Sequence, residues 1–374
     1  MKIQEINTEA EFLSLQGPWQ ALEPHVKDLT IFQTWVFQFH CWRIFKDRVT
    51  PTVLLFKNQD DELLAIAPLG SRSEKTGPFS FNVLGFCCVK YCDFQNIIVR
   101  TGHQEAVMDA FAEWLDENRS RWDHIELRLV REDFILWQWR ERLQSKSNDR
   151  LTFIEEGIAP FITIQPDWND FQNALSGKRA KAIRYEIRNL FRQFEGEFKR
   201  YDAGEGLYKA LRQFMDLHQK RIRQKYQLGA FPTQEIREGF TGLIKALEAY
   251  KYISIHTIES PGQTIAAIGT FEKDGVISYF QGGFDPDYQR ISPGKVVLAL
   301  RITSAVQNKD SEFDFLFGDE DYKFSWSTGQ RHIHAIHIRT GSSKQAWYIR
   351  LGRLQSRMQE SQRLRALYFK LTGK

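Results

Sequence analysis

The chain has 374 residues, of which 42% are hydrophobic, and its 29 Phe and 10 Trp supply ample apolar surface. This composition excludes wholesale disorder and provides for two domains at roughly 150 residues each. The formal net charge of +4 is too small to require a nucleic-acid partner. The polar first residues lack an apolar signal segment, and no run reaches the roughly 18 apolar residues of a membrane-spanning helix. We therefore expect a cytoplasmic protein.

The first distinctive element is aromatic. Residues 32–45 predict a helix capped by Thr34, with Trp35, Phe39 and Trp42 on one face. A face of this kind is typical of core packing.

The four cysteines are Cys41, Cys87, Cys88 and Cys92. They suit neither a disulfide framework nor a zinc site, because a paired CxxC and a nearby set of histidines are both missing. We expect no bound metal.

The first half of the chain contains a strand pair followed by a helix and another strand. The strands at 51–57 and 62–70 flank a turn, a helix is predicted at about 103–119, and a strand follows at 124–130.

The second half repeats this layout. Strands are predicted at 252–259, 263–271 and 276–284, a helix at about 294–308 and a strand at 312–318. A helix followed by a parallel strand is a βαβ signal. We therefore expect an α/β fold with a mixed sheet, built from two tandem lobes.

A helical block lies between the repeats. It comprises helices at 174–195, where Ser176 is a plausible N-cap, at 204–226 and at 233–250, with a short strand at 197–201. The first helix carries six basic residues: Lys178, Arg179, Lys181, Arg184, Arg188 and Arg192. They form either a solvated face or a binding face for RNA or a phosphorylated carrier.

The predicted domains are a structural lobe at 1–165, a lobe with the functional site at 166–340, and a basic amphipathic tail at 341–374. The helical pattern of the tail covers 342–371. It contacts either the second lobe or anionic lipid.

The most informative segment is the start of the second-half helix at Ser292-Pro293-Gly294. Serine at the N-cap and proline at the first helical position are both favoured, and such a start presents free amides and partial positive charge to an anion. Gly294 permits close approach, while Arg290 and Lys295 flank the turn. The pattern predicts a pyrophosphate site. The first half lacks the Pro-Gly pair.

A cluster of polar residues follows the strand at 312–318. Ligands bind at the carboxyl ends of strands in open α/β sheets. For acyl transfer we assign Asp319 or Glu320 as base, Tyr322 as acid and Lys323 as charge stabiliser.

Several segments together resemble a known family. GQTIAAIGTF, Tyr279, GFDPDYQRISPGKVVL and FDFLFGDEDYKFSW are similar to the GNAT-superfamily branch associated with cellulose biosynthesis, the CelD/BcsL-type proteins. The similarity extends to FQTWVF, RAKAIRYEIRNLFRQFEG and MDLHQKRI, and so covers most of the chain. These proteins are distant relatives of Fem-type aminoacyl transferases, and both groups have tandem GNAT lobes.

The resemblance implies that the turn before the helix binds the acyl-CoA pyrophosphate, while the strand at 276–284 binds the pantetheine arm through its backbone. The residues expected at the donor are Tyr279, Gln281, Gln289, Arg290, Ser292, Gly294 and Lys295. Those expected at the acceptor are His218, Arg221, Asp285 and Trp326.

Three functions remain open. The first is transfer of a small acyl group, acetyl above all, from acyl-CoA to an amine or hydroxyl of a sugar or cell-envelope precursor. The second is a Fem-like transferase that takes aminoacyl-tRNA, because the turn departs from the usual superfamily pattern. The third is a catalytically silent protein that binds a partner in envelope polysaccharide assembly.

Overall fold

The computed structural model describes residues 1–76, 79–146, 150–168, 175, 177–223, 229–342, 344–348 and 350. The described chain divides into two compact units. The first contains Met1–Ile158 and the described residues between Arg331 and Arg350, and the second contains Ala159–Gln330. No helix within the described residues combines the length and apolarity needed to cross a bilayer.

The first unit begins with a strand and two short helices. Its elements in chain order are β1 (Lys2–Ile6), α1 (Glu9–Ser14), α2 (Gln16–Leu22), α3 (Trp35–Arg43), β2 (Val49–Lys57), β3 (Leu63–Thr76), β4 (Phe79–Phe86), β5 (Ile98–Val99), α4 (Gln104–Asn118), β6 (His124–Arg131), α5 (Ile135–Gln138) and α6 (Arg140–Lys146).

The chain then passes into the second unit along β7. The remaining elements are β7 (Leu151–Thr163), α7 (Gly177–Gln193), β8 (Glu197–Tyr201), α8 (Gly204–Arg223), α9 (Gln234–Glu248), β9 (Ile253–Ser260), β10 (Gln263–Lys273), β11 (Val276–Phe284), a 3₁₀ helix (Pro286–Ile291), α10 (Pro293–Gln307), β12 (Glu312–Asp314), α11 (Asp321–Phe324) and β13 (Gly329–Ile338).

The two units have the same strand order. In the first it is β1-β2-β3-β4-β6-β13, and in the second it is β8-β9-β10-β11-β12-β7. In each unit a parallel pair follows a crossover helix, β4 with β6 and β11 with β12. The other pairs in these orders are antiparallel. This repeat confirms the predicted α/β class with two tandem lobes.

Helix α3 forms as predicted. The Thr34 side chain accepts a hydrogen bond from the Phe37 amide at 3.4 Å and so caps the helix. The rings of Trp35 and Phe39 stack with centroids 5.0 Å apart, and Trp42 lies 5.9 Å from Phe39. All three side chains are buried in the core of the first unit.

The helical block also forms, with one apolar face on each helix. In α8, Leu207, Leu211 and Phe214 are fully buried. In α9, the Thr233 side chain caps the first turn by accepting from the Ile236 amide at 3.3 Å. Predicted cap Ser176 and residues 224–226 of the second predicted helix lie outside the described residues.

Five strands were absent from the predicted set, namely β1, β4, β5, β7 and β13, and β12 was predicted too long. Strands β7 and β13 pair with β12 and β6, which are remote in sequence. Strand β12 ends at Asp314 rather than 318, because the chain turns at Leu316, whose φ is 60°. Of the predicted tail helix, residues 345–348 are helical, and most of the rest lies outside the described residues.

Candidate active site

A cleft of about 390 Å³ opens in the second unit between β11, the start of α10 and the segment that contains α11. The residues that line it are Arg221, Ile268, Tyr279, Gly282, Gly283, Phe284, Gln289, Ser292, Pro293, Gly294, Lys295, Leu298, Tyr322, Ser325 and Trp326.

The cleft exists because β11 and β12 separate. They pair only from Val276 to Ser278. Beyond this point β11 continues to pair with β10, with a bulge at Phe280 where the register shifts. Within the described chain, the other edge of β11 has no strand partner after Ser278. An extended ligand can occupy such an edge and bond to the backbone.

The start of α10 presents an unpaired amide to the cleft. Pro293 has no N–H, and the Gly294 amide has no hydrogen-bond partner among the described residues. Ser292 occupies the expected N-cap position, but its side chain does not cap the helix, because the residue is left-handed with φ 53° and ψ 45°. The turn therefore keeps its positive end open to an anion.

Gly294 lies against an aromatic ring. A Cβ built on it would be 2.8 Å from Cδ1 of Phe284, a distance that real Cβ contacts do not show. The lack of a side chain at this position is therefore a steric requirement.

The two cations beside the turn behave differently. Lys295 Nζ lies 2.8 Å from Glu186 Oε1 of α7. Arg290 is exposed, and its side chain forms no hydrogen bond or ion pair in the described part of the chain. It does not line the cleft.

The Gly282 carbonyl oxygen accepts from two side chains of α8, His218 Nδ1 at 3.4 Å and Arg221 Nη1 at 3.3 Å. His218 Nε2 in turn accepts from the Ala230 amide at 3.2 Å. Since Nε2 accepts a hydrogen bond, Nδ1 carries the ring's N–H and donates it to the Gly282 carbonyl, so the ring is fixed as one neutral tautomer. Of these two residues predicted at the acceptor, only Arg221 lines the cleft.

Two tyrosines meet in the cleft. The side chains of Tyr279 and Tyr322 are hydrogen-bonded, and burial raises the pKa of the Tyr279 phenol. The Tyr322 side chain is 38% exposed, but partial desolvation of its phenol, followed by the nearby Tyr279 and the Glu320 carboxylate, raises its pKa above the usual range. Both phenols therefore keep their protons at neutral pH, so each can donate a proton and neither can act as a base.

The loop after β12 is held by a buried lysine. Lys323 is 4% exposed, and its Nζ donates to the Phe317 carbonyl at 2.8 Å and lies 2.9 Å from Glu320 Oε2. Asp319 is exposed. These three residues, predicted as catalytic, do not line the cleft, and Lys323 fixes the loop that carries Tyr322.

Asp285 is part of the turn itself. Its carboxylate accepts from the Asp287 amide at 3.1 Å and pairs with Lys220 at 2.5 Å. The pKa of Asp285 is lowered, because these partners outweigh the cost of burial.

The structure thus brings into one cleft some, but not all, of the residues predicted to be catalytic or to bind the donor or the acceptor. Those that line the cleft are Arg221, Tyr279, Gln289, Ser292, Gly294, Lys295, Tyr322 and Trp326, and those that do not are His218, Gln281, Asp285, Arg290, Asp319, Glu320 and Lys323. Sequence reasoning missed Phe284, Leu298 and Glu186. Only Phe284 could have been found from the sequence, because it is the last residue of the predicted strand that leads into the phosphate-binding turn.

The first unit contains the one group of possible metal ligands among the described residues: His124, Glu126 and His337. His124 Nδ1 lies 3.0 Å from the Gln345 amide nitrogen, and His124 Nε2 lies 3.1 Å from His337 Nδ1. Since Gln345 donates to Nδ1, the proton of His124 sits on Nε2, where a metal would have to bind. Glu126 also pairs with Arg72 at 2.6 Å. This group fits a hydrogen-bonded chain better than a metal centre.

Comparison with known proteins agrees with this geometry. Residues 177–324 match the family model described as "Acetyltransferase (GNAT) domain". No curated protein matches the chain. Among solved structures, FemX is similar at 11% identity, with a TM-score of 0.60 over 92% of this chain and 99% of that one.

Two further structures share the fold. A conserved protein of unknown function from Bacteroides thetaiotaomicron has 13% identity and a TM-score of 0.55, over 90% of this chain and all of that one. The C-terminal domain of a putative lysylphosphatidylglycerol synthetase from Agrobacterium fabrum has 10% identity and a TM-score of 0.52, over 88% and 92%. These identities establish the fold alone. Residues 177–324 thus match the model of the GNAT acetyltransferase domain, in a chain whose two units have the same strand order.

Proposed function

We propose that this chain is an acyltransferase that takes an acyl group from acyl-CoA, acetyl-CoA first among candidates, and transfers it to an amine or hydroxyl of a sugar or cell-envelope precursor. One observation carries the proposal. A single cleft holds an open helix start suited to phosphates and a protonated tyrosine suited to a leaving thiolate.

The donor would lie along β11. Its pyrophosphate would meet the Gly294 amide and the positive end of α10, and its pantetheine arm would follow the edge of β11 that β12 leaves free. The reacting carbonyl would then lie near Tyr279 and Tyr322, at the opposite end of the cleft from the phosphates.

Tyr322 is proposed as the general acid. Acyl transfer expels a thiolate, and a phenol that keeps its proton at neutral pH can protonate it. Lys323 is a positioning residue, because its bonds to the loop carbonyl of Phe317 fix the segment that carries Tyr322. Asp319 and Glu320 remain predicted bases from the sequence.

Calorimetry with CoA and acetyl-CoA tests the donor. We expect binding at micromolar to millimolar concentration that weakens when Lys295, which lines the cleft, is changed to Gln. Folded protein that binds neither compound at millimolar concentration would refute the proposal. The context of cellulose or another envelope polysaccharide rests on the sequence resemblance and is part of the proposal.

The second candidate is a Fem-like transferase that uses aminoacyl-tRNA. It is favoured by α7, where Lys178, Arg179, Lys181, Arg184, Arg188 and Arg192 are all exposed and have no carboxylate partner in the described part of the chain. Such a face suits a nucleic-acid backbone.

This candidate predicts that tRNA binding weakens steeply with salt. It also predicts that Arg184→Gln with Arg188→Gln reduces both the affinity and the salt slope. The control is Arg212→Gln, which removes an exposed charge from α8. If the α7 double variant and Arg212→Gln reduce tRNA affinity equally, α7 has no specific role in binding tRNA.

A further inference from the structure

The cleft is unusual in its charges. Of the described residues that line it, the ionisable ones are Arg221, Lys295 and the tyrosines Tyr279 and Tyr322. None is a carboxylate or an imidazole. At neutral pH this wall therefore offers cations and protonated phenols but no group that can accept a proton.

Just outside the cleft, three described groups that could accept a proton already have partners. Glu320 is engaged with Lys323 at 2.9 Å. His218 has both ring nitrogens occupied, by Gly282 and by the Ala230 amide. Asp285 pairs with Lys220.

Arg221 is the second unusual feature. It is half-buried, and its one hydrogen bond is to the Gly282 carbonyl. No carboxylate pairs with it among the described residues, although a guanidinium has five N–H donors. An arginine kept in a cleft without a counter-ion is suited to an anion that arrives with a ligand.

Arg221 shares one aromatic neighbour, Phe284, with the phosphate end of the cleft. Its guanidinium lies 5.2 Å from the centre of the Phe284 ring, and the same ring abuts Gly294 at the helix start. Gly282, to which it bonds, also lies beneath the Tyr279 hydroxyl, because a Cβ built there would be 2.5 Å from that oxygen. Arg221 is thus next to the tyrosine pair, where the acceptor meets the donor.

We infer that the acceptor is a primary amine of low basicity, of the α-amino kind, that carries a carboxylate or phosphate, and that Arg221 binds this acidic group. This inference rests on the proposed acyltransferase function. An amine of which a substantial fraction is neutral at the working pH needs no base from the protein, whereas a hydroxyl or a lysine-type amine does.

The reaction balances without a protein base. The amine lone pair attacks the thioester carbonyl carbon, the C–N bond forms and the C–S bond breaks. The thiolate takes the Tyr322 proton, the new ammonium releases a proton to water, and Tyr322 regains one from solvent. The products are an amide and free CoA.

Three acceptor probes test the inference with acetyl-CoA as donor. Diglycine has a carboxylate and an amine of pKa about 8, Nα-acetyllysine has a carboxylate and an amine of pKa about 10.4, and diglycine amide lacks the carboxylate. At pH 7.5 we expect diglycine to react on the order of 100-fold faster than Nα-acetyllysine, because far more of its amine is neutral.

Two measurements test the two parts of the inference: the pH profile of kcat/KM tests the lack of a protein base, and the KM of Arg221 variants tests the binding of the acidic group. The acid limb of the pH profile of kcat/KM should move with the pKa of each acceptor amine. Arg221→Gln should raise KM for diglycine about tenfold or more while leaving KM for diglycine amide unchanged, and Arg221→Lys should restore part of the difference.

The contrary outcomes are distinct. An acid limb that stays at one pH for every acceptor, or that shifts in Glu320→Gln, would reveal a protein base and overturn the inference. So would equal use of diglycine and its amide, or a donor-bound protein that acetylates none of the probes. Protein that fails to bind CoA by calorimetry removes the proposed function itself.

Discussion

Lys295 Nζ lies 2.8 Å from Glu186 Oε1, so the cation beside the proposed phosphate site is paired with a carboxylate of α7. The pair is partly exposed, and such pairs contribute about 0.2–1 kcal/mol. A phosphate at the helix start would therefore compete with Glu186 for Lys295.

This competition gives the first prediction. Glu186→Gln should lower the Kd for CoA by about two- to fivefold, because Lys295 is released to the phosphates. Calorimetry at low salt measures the change. The control is Asp216→Asn, which breaks the Arg237 pair elsewhere in the second unit and should leave the Kd unaltered. Weaker CoA binding in Glu186→Gln would contradict this account.

Gly294 gives the second prediction. Gly294→Ala should destabilise the second unit by about 1–3 kcal/mol, because its Cβ would collide with the Phe284 ring, and should weaken CoA binding at least tenfold. Urea unfolding and calorimetry measure the two effects.

A matched control exists in α9. Gly242 is exposed, and a Cβ built on it meets nothing within 4 Å. Gly242→Ala should therefore stabilise the protein by about 0.5–1 kcal/mol and leave CoA binding intact. Equal behaviour of the two variants would show that Gly294 is not a steric requirement.

Tyr322 gives the third prediction. Tyr322→Phe should reduce kcat by about 10²–10⁴-fold with little change in the KM for acetyl-CoA, because only the proton donor is lost. The pKa of Tyr322 is raised, so the protonated form persists as pH increases and the wild-type rate should not fall between pH 8 and about 10. Steady-state kinetics across this range measures both effects. If the wild-type rate declines near pH 8 and this decline is absent in Tyr322→Phe, Tyr322 does not act as the proposed general acid with a raised pKa.

His256 gives the fourth prediction, which concerns stability. Burial, with Arg301 and Arg200 nearby, holds the pKa of His256 well below its ordinary value. In the unfolded chain the His256 imidazole binds a proton near pH 6.5, whereas in the folded chain it stays neutral at that pH. The free energy of unfolding should therefore fall as pH drops below about 6.5, by up to about 1.4 kcal/mol per pH unit.

Urea unfolding at pH 7, 6 and 5 measures this dependence. His256→Gln should make it shallower, whereas His25→Gln, which removes an exposed histidine of the first unit, should not. An unchanged slope in His256→Gln would show that other groups cause the loss of stability.

The features predicted correctly from the sequence are those that depend on residues close together in the chain. Thr34 and Thr233 cap their helices, and the strand–helix–strand repeat appears in both units. Strands β7 and β13 escaped prediction because their partners are remote, so no adjacent turn marks them. Tertiary pairing, not local pattern, decides such strands.

The sequence predicted where the cleft lies in the chain, but it predicted only some of the residues at the cleft. The Pro293-Gly294 start marks the cleft, because helix ends have local rules. Lys323 could not be placed, since its burial depends on the turn at Leu316 and the carbonyl that this turn exposes. Glu186 could not be found either, because it lies 109 residues from its partner Lys295.

The separation of β11 from β12 after Ser278 has an evolutionary consequence. If a donor is held there by main-chain groups, substitution of the surrounding side chains leaves those contacts in place. Descendants of such a protein can diversify the wall that meets the acceptor while inheriting the same donor, so new acceptor specificities arise without the loss of the old chemistry.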